Sequence, residues 1–350
     1  MFALNSDITI GQYGMKPHDV RVQKSIYEYV DKATIKLPIS ARIKNTNSLD
    51  DTFSIVETAK QFKAGDKVII KLGYNGALET EFEGFVRRIN FTSPVEVECE
   101  GYSYQLRIQS YKKTFTHVQL LDVLKYLVQG TDIILDEKNI PAFKIDKLCL
   151  TGANGCQALE EIKKISHNII QIFFTGNRLW AGLIFLNATG SVENYPTKQL
   201  VHYRLGWNVI KDNNLKQRES NGDVVMVYEG IKKDGTKEKA IVNGKVHKVN
   251  AKVVQSSGGA GMNKTVRTHS ITDAATLKNM ALAAQYKFNY DGYEGKITAF
   301  LQPFCQPAYM AFLEDLKYPE RTGTYNVEST DVTYGMKGAR RIVGIGIKLK

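Results

Sequence analysis

The last stretch of the chain, Tyr293 to Lys350, constrains the fold more than any other. It opens with a strand-like run, Gly295-Lys296-Ile297-Thr298-Ala299-Phe300, and turns between Pro303 and Pro307. A second apolar run, Ala308 to Leu313, ends before the break at Pro319-Glu320-Arg321-Thr322-Gly323. Tyr325 and Val327 then share one face, Gly335 and Gly338 mark a turn, and the chain finishes with Val343, Ile345, Ile347 and Leu349 alternating on one side. A period of two with Gly and Pro punctuation predicts a meander of short strands. It contains no catalytic grouping and reads as the wall of a barrel that assembles with others.

The remaining chain divides by period. Residues 1–112 read as β. Lys67-Val68-Ile69-Ile70-Lys71-Leu72 is bracketed by turn signals at Gly65-Asp66 and Gly73-Tyr74-Asn75-Gly76, and Glu81 to Phe91 continues the sheet through Gly84. Val95-Glu96-Val97-Glu98-Cys99-Glu100 alternates strictly, which predicts Val95, Val97 and Cys99 inside and Glu96, Glu98 and Glu100 outside. Three outward carboxylates are a candidate surface for a basic partner; the alternative is a solvated row that discourages edge pairing. Residues 113–195 read as α+β. Thr116 to Gln119 has the form of a capping box ahead of a helix carrying Leu120, Leu121, Leu124, Leu127 and Val128. A second helix is predicted over Gly155–Ser166, followed by strands over 168–174 and 179–186. Residues 196–252 return to strands. The segment 253–292 is an inserted loop, Ser256 to Gly261, and a helix starting near Thr272 or Asp273 with Leu277, Met280, Ala281 and Ala284 packed.

A length of 350 residues predicts about two to four domains. No stretch approaches the roughly 20 apolar residues of a spanning helix, and the N-terminus shows no secretory pattern. Cys99, Cys149, Cys156 and Cys305 lack metal spacing. Scattered reduced thiols explain them better than a Cys149–Cys156 pair. The net charge is +11, and its excess lies between Arg204 and Thr268, with 13 basic and 6 acidic groups. Seven lysines there, Lys232, Lys233, Lys237, Lys239, Lys245, Lys248 and Lys252, suit either a nucleic-acid surface or a solvated hairpin. The second is preferred, because aromatic side chains are not interleaved.

A coarse repeat links the two β-rich ends. Gly65-Asp66-Lys67-Val68 leads to Gly84-Phe85-Val86, and Pro307-Ala308-Tyr309-Met310 leads to Gly323-Thr324-Tyr325-Asn326-Val327. With these features, above all the order of strands from Gly295 to the final strand at Arg340-Arg341, the chain resembles the bacteriophage baseplate hub family, also called late control protein D. That family is related to the hub region of the type VI secretion spike protein. The resemblance covers nearly the whole chain and is weakest over 204–268. It implies a β-rich α+β fold: two related antiparallel β-barrel domains, 1–112 and 196–252 with 293–350, separated by the α+β domain. It further implies a homotrimer whose six barrels form a pseudo-sixfold ring. The implied partners are a tail tube protein, a central spike protein and other baseplate proteins, with DNA or tape-measure protein crossing the channel. Its place would be a virion tail baseplate or injection particle assembled in the bacterial cytoplasm. Glu96, Glu98, Glu100, Pro319, Glu320, Arg321, Arg340 and Arg341 are the candidate assembly residues.

Catalysis has no constellation to rest on. Gly258 to Thr265 nearly spells a phosphate-binding loop, but Asn263 replaces the second glycine and no helix signal follows. The six histidines show no pair at metal-ligand spacing. Glu160-Glu161 and Glu314-Asp315 are merely adjacent, whereas paired-carboxylate chemistry needs convergence across a cleft. No enzyme activity, cofactor or metal is expected. Besides a structural hub, the open readings are a basic nucleic-acid-binding protein and a β-rich surface-binding module. The α+β domain at 113–195 speaks against the latter, since a simple sandwich has no use for it.

Overall fold

A computed structural model describes residues 3–44, 53–185, 199–218, 225–243, 246–249, 263–288, 290 and 292–349. Its centre is one 13-stranded sheet carrying two cores. The N-terminal part supplies β1 (Leu4–Ile10), β2 (Tyr13–Met15), β3 (Asp19–Ser25), β4 (Lys32–Leu37), β5 (Ser40–Lys44), β6 (Phe53–Glu57), β7 (Lys67–Tyr74), β8 (Ala77–Asn90) and β9 (Val95–Glu100). Alternation places Ile8 and Ile10, Val68, Ile70 and Leu72, and Val95, Val97 and Cys99 in the first core. Among the described residues, β5 and β6 pair only with each other, outside the main sheet.

The middle of the chain forms α1 (Ser103–Arg107), β10 (Ser110–Gln119), α2 (Leu120–Val128), β11 (Ile134–Leu135), β12 (Lys144–Asn154), α3 (Gly155–Ile165), β13 (Gln171–Thr175) and β14 (Arg178–Gly182). The expected capping box at Thr116 does not form. Thr116 to Gln119 lie in β10, paired with β12 as far as Gln119↔Lys144, and α2 begins at Leu120 without a side-chain cap. Here a long-range ladder overrides a local signal. The helix at 155 is capped instead by Asn154, whose side chain accepts from Gln157 N while Gln157 returns the bond.

Next come β15 (Leu200–Arg204), β16 (Val209–Arg218), β17 (Val225–Ile231), β18 (Lys237–Asn243), β19 (Val246–Val249), β20 (Asn263–Thr268) and α4 (Ala274–Phe288). The sequence reading joined 196–252 to 293–350, and strand pairing splits that segment. β15 and β16 enter the main sheet, whereas β17 to β20 form a separate four-stranded sheet. Met226, Tyr228, Ala240 and Val242 pack with α4 in the core that also holds α2 and α3. Leu277, Met280, Ala281 and Ala284 are fully buried there, and Asp273 caps α4 by accepting from Thr276 N at 2.9 Å. The segment read as loop plus helix therefore also contributes a strand, β20, paired parallel to β17. Among the described residues no helix is long and apolar enough to cross a membrane.

The chain ends with β21 (Gly292–Ala299), β22 (Met310–Glu314), β23 (Gly323–Gly335) and β24 (Gly338–Lys348). The two β-rich ends follow one layout. Numbered in chain order, the six strands of the first module are β1, β3, β4, β7, β8 and β9; those of the second are β15, β16, β21, β22, β23 and β24. Across the sheet, both run first, fourth, fifth, sixth, third, second. One pairing differs in sense: β15–β22 is parallel and β1–β7 antiparallel. Neither module closes into a barrel among the described strands. They are open halves of a continuous sheet, joined where β3 pairs with β23.

Backbone detail repeats as well. Gly65 N donates to Val86 O and Val86 N to Asp66 O, both at 2.8 Å; Ala308 N donates to Val327 O at 2.8 Å and Val327 N to Tyr309 O at 2.9 Å. Gly65 and Ala308 both have positive φ, 92° and 67°. The β8–β9 and β23–β24 ladders each shift register just beyond that valine, between Val86 and Arg88 and between Val327 and Ser329. A bulge in the same place is a design feature of the module. It makes Val86 the counterpart of Val327.

Candidate assembly interface

The modules meet along one seam. β3 pairs antiparallel with the second half of β23, from Ser25↔Ser329 to Asp19↔Gly335. Across it, Arg21 donates to Asp331 from Nε at 3.0 Å and from Nη2 at 2.6 Å, and Gln23 adds a bond to the same carboxylate. This bidentate pair is exposed and contributes register more than stability. The apolar contribution is larger. Leu301, Val332 and Ala339 of the second module are buried in the core of the first.

Behind the seam lies a fully buried ion pair. Arg341 of β24 donates to Glu81 of β8 from Nη2 at 2.6 Å and from Nη1 at 3.1 Å. The same guanidinium holds Cys305 O at 2.6 Å and Leu301 O at 3.1 Å. Glu81 faces inward because the β7–β8 register shifts beside it, between Ile70/Phe82 and Lys71/Thr80. Desolvation of Arg341 is offset by the carboxylate and two carbonyls. Burial beside this group pushes the Cys305 thiol up to about 11, so Cys305 remains a neutral thiol near neutral pH.

The candidate residues fall into three groups. Arg341 is 0% exposed and Glu100 is 1% exposed, so neither reaches a partner surface. Glu100 was read as outward because its strand alternates. It is covered by the chain that turns back at α1, where Arg107 grips it from Nε and Nη2 at 2.8 to 3.0 Å and Ser103 donates at 2.8 Å. Glu96 and Glu98 do point outward. Both accept from Asn90, and Glu98 pairs with Arg88, whose hydrogen bond lowers its pKa from the ordinary carboxylate value. Their strand is internal, between β4 and β8, so the row does not guard an edge.

Pro319 and Glu320 are exposed in a short 3-10 turn, while Arg321 bonds Asp212 at 2.9 Å and stacks over Tyr318. Arg340 lies over the Phe300 ring and donates to its neighbour Ala339 O. In the lysine-rich segment, Lys239 pairs with Glu229 and Lys232 with Glu238, while Lys233 and Lys237 are exposed. Lys245, Lys252 and the side chain of Lys248 lie outside the described residues, as does the Ser256–Gly261 loop. Glu81, Arg21 and Asp331 were missed by sequence reasoning; their partners are more than 250 residues away, and no local pattern announces them. Among the described residues no cluster of His, Cys, Asp or Glu has metal-site geometry.

Asp31, between β3 and β4, carries the clearest pH signature. Burial raises its carboxyl from 3.8 to about 6, opposed by the Lys24 charge. Its folded pKa exceeds its unfolded one, so the stability linked to it is full below about pH 4 and lost as pH rises through about 6. Asp31→Asn is therefore expected to raise unfolding free energy at pH 7 by on the order of 2 kcal/mol, with little change at pH 4. Urea unfolding at the two pH values checks this; an equal effect at both would disprove it.

No protein-family model matches the sequence, and no curated protein matches it either. Solved structures do. The 43 kDa tail protein of prophage MuSo2 from Shewanella oneidensis superposes with a TM-score of 0.60 at 11% identity, over 99% of this chain and 98% of that one. The tail protein from Neisseria meningitidis MC58 gives 0.60 at 12% identity, over 98% and 96%. An E. coli component of the type VI secretion system, described as structurally similar to T4 bacteriophage tail proteins, gives 0.55 at 6% identity, over 99% and 77%. The chain thus has, along essentially its whole length, the β-rich α+β fold of phage tail proteins and of a type VI secretion component.

Proposed function

We propose that this protein is a structural baseplate hub of a contractile tail or injection machine. Three copies form a ring of six modules that joins a tail tube to a central spike. The observation that carries the reading is the repeated strand order: one chain holds two modules of the same layout, already joined side by side by the β3–β23 seam. A threefold spike and a sixfold tube present mismatched symmetries, and a trimer of duplicated modules is compatible with both. The shared fold with tail proteins supports the same reading. The partners are then two further copies, the spike, the tube and neighbouring baseplate proteins, with DNA or tape-measure protein passing through the channel. The work is mechanical rather than catalytic, and its place is the tail baseplate or injection particle, after assembly in the bacterial cytoplasm.

Light scattering coupled to gel filtration tests this on the full chain, alone and mixed with its spike protein. The expected mass is three times 39.3 kDa in at least one of the two samples. A strict monomer in both would remove the hub reading.

A further inference from the structure

The seam inside the chain uses one strand of each kind: the second strand of the first module, β3, and the fifth strand of the second, β23. The reciprocal pair, the fifth strand of the first module and the second strand of the second, is left over. β8 pairs with β7 only as far as Phe85, with Val86 closing onto Asp66 and Gly65, so Arg87 to Asn90 have no described strand on that side. β16 pairs with β21, and no described strand lies along its other edge. These two edges have the same relation to their modules as the two edges that meet inside the chain.

The side chains on the leftover surface fit this symmetry. With Val86 matched to Val327, Phe91 is the counterpart of Val332. The β4–β9 and β21–β24 ladders match Ala33 to Gly295 and Leu37 to Ala299, so Ile39 is the counterpart of Leu301. Val332 and Leu301 are each 1% exposed, buried by the seam in the neighbouring module's core. Phe91 is 76% exposed and Ile39 52%. Two large apolar side chains thus face solvent at the positions where, in the other module, a neighbour covers them. Scattered apolar residues need no explanation, but a matched pair beside an open strand edge does.

We propose that Ile39, the Arg88–Asn90 end of β8 and Phe91 just after it form a docking edge for β16 of a second copy of this chain, reproducing between molecules the seam that β3 and β23 make within one. Copying the internal register places Asn90 opposite Lys216, as Asp331 stands opposite Gln23. Phe91 then comes against the Leu215 end of the partner's second core. Charge agrees: Lys216 is exposed, and Asn90 is the residue that holds Glu96 and Glu98. The contact is head-to-tail, so copies add in one direction and a closed ring uses every edge. The proposal rests on the trimeric hub reading and says where its copies touch.

The test is a disulfide between copies, Asn90→Cys with Lys216→Cys, in a background where the exposed Cys149 is replaced by serine. Directly paired residues of neighbouring strands lie within disulfide reach. Mild oxidation should give a covalent species three chains in mass, and neither single cysteine variant should do so. In parallel, Phe91→Ser should weaken self-association at least tenfold. It should leave the unfolding midpoint of the monomer unchanged, because that side chain is exposed. A trimer that neither crosslinks at this pair nor responds to Phe91→Ser would overturn the seam while leaving the hub standing. A chain that never self-associates, with or without its spike, would overturn both.

Discussion

Replacing Arg341 with methionine is expected to cost about 3–5 kcal/mol of stability, the usual penalty for leaving one member of a buried ion pair alone. Its partner Glu81 is 3% exposed and sits in the other module, so the loss is felt as a loosening of the two halves against each other. The double variant Arg341→Met, Glu81→Leu should recover part of this, because no lone charge is then buried. Recovery stays incomplete. Cys305 O and Leu301 O lose their donor, and unsatisfied buried carbonyls cost about 1–3 kcal/mol. The cycle of single and double variants in urea isolates the coupling between the two side chains. A single-variant cost under about 1 kcal/mol, or a double variant no better than Arg341→Met, would show that the pair does not hold the modules together.

The same residue marks where the sequence stopped being informative. Arg341 was a candidate for assembly because it opens the last strand beside Arg340. Its burial depends on Glu81, 260 positions earlier, and on a register shift in β7–β8 that turns that carboxylate inward. Neither leaves a local trace. What periodicity encodes was legible: the alternation of Val95, Val97 and Cys99, the packed face of α4, the helix at 155. The coarse repeat was legible too, and it paired Gly84-Phe85-Val86 with a run ending at Val327, the valine that the backbone makes equivalent to Val86. The limits of the repeat have a physical cause. The layout conserves strand order, a bulge and a left-handed turn, and Gly65 and Ala308 meet the last with different residues. Strands β17 to β19 lie in a segment readable as strands, but not as a separate sheet, and β20 fell in the segment read as loop and helix. Which sheet a half-apolar strand joins depends on where its apolar side finds a partner, here α4 and the core of the middle unit.

Glu100 gives the second large effect and separates two roles along one strand. Glu100→Ala should lower stability by about 3 kcal/mol, somewhat less than Arg341→Met. The alanine strands the fully buried Ser103 hydroxyl, and Arg107 loses its three bonds to the carboxylate. Arg107 is 31% exposed, so its guanidinium turns partly to water, which tempers the loss. These contacts tie the end of β9 to α1, the first turn of the middle unit, so the cost falls on the joint between the sheet and that unit. Glu100→Gln keeps the shape and an acceptor for Ser103, and should cost roughly 1–2 kcal/mol, the worth of a charge-assisted bond over a neutral one. Neither change should alter self-association, because Glu100 is buried beneath α1. Glu96→Gln should behave in the opposite way, with stability within about 0.5 kcal/mol of the parent and weaker association at low salt, where, at the proposed seam, the half-buried carboxylate held by Asn90 lies near Lys216 and is least screened. If Glu100→Gln weakened association at unchanged stability, the strand would present all three carboxylates to a partner, and the burial of Glu100 beneath α1 would not describe the assembled protein.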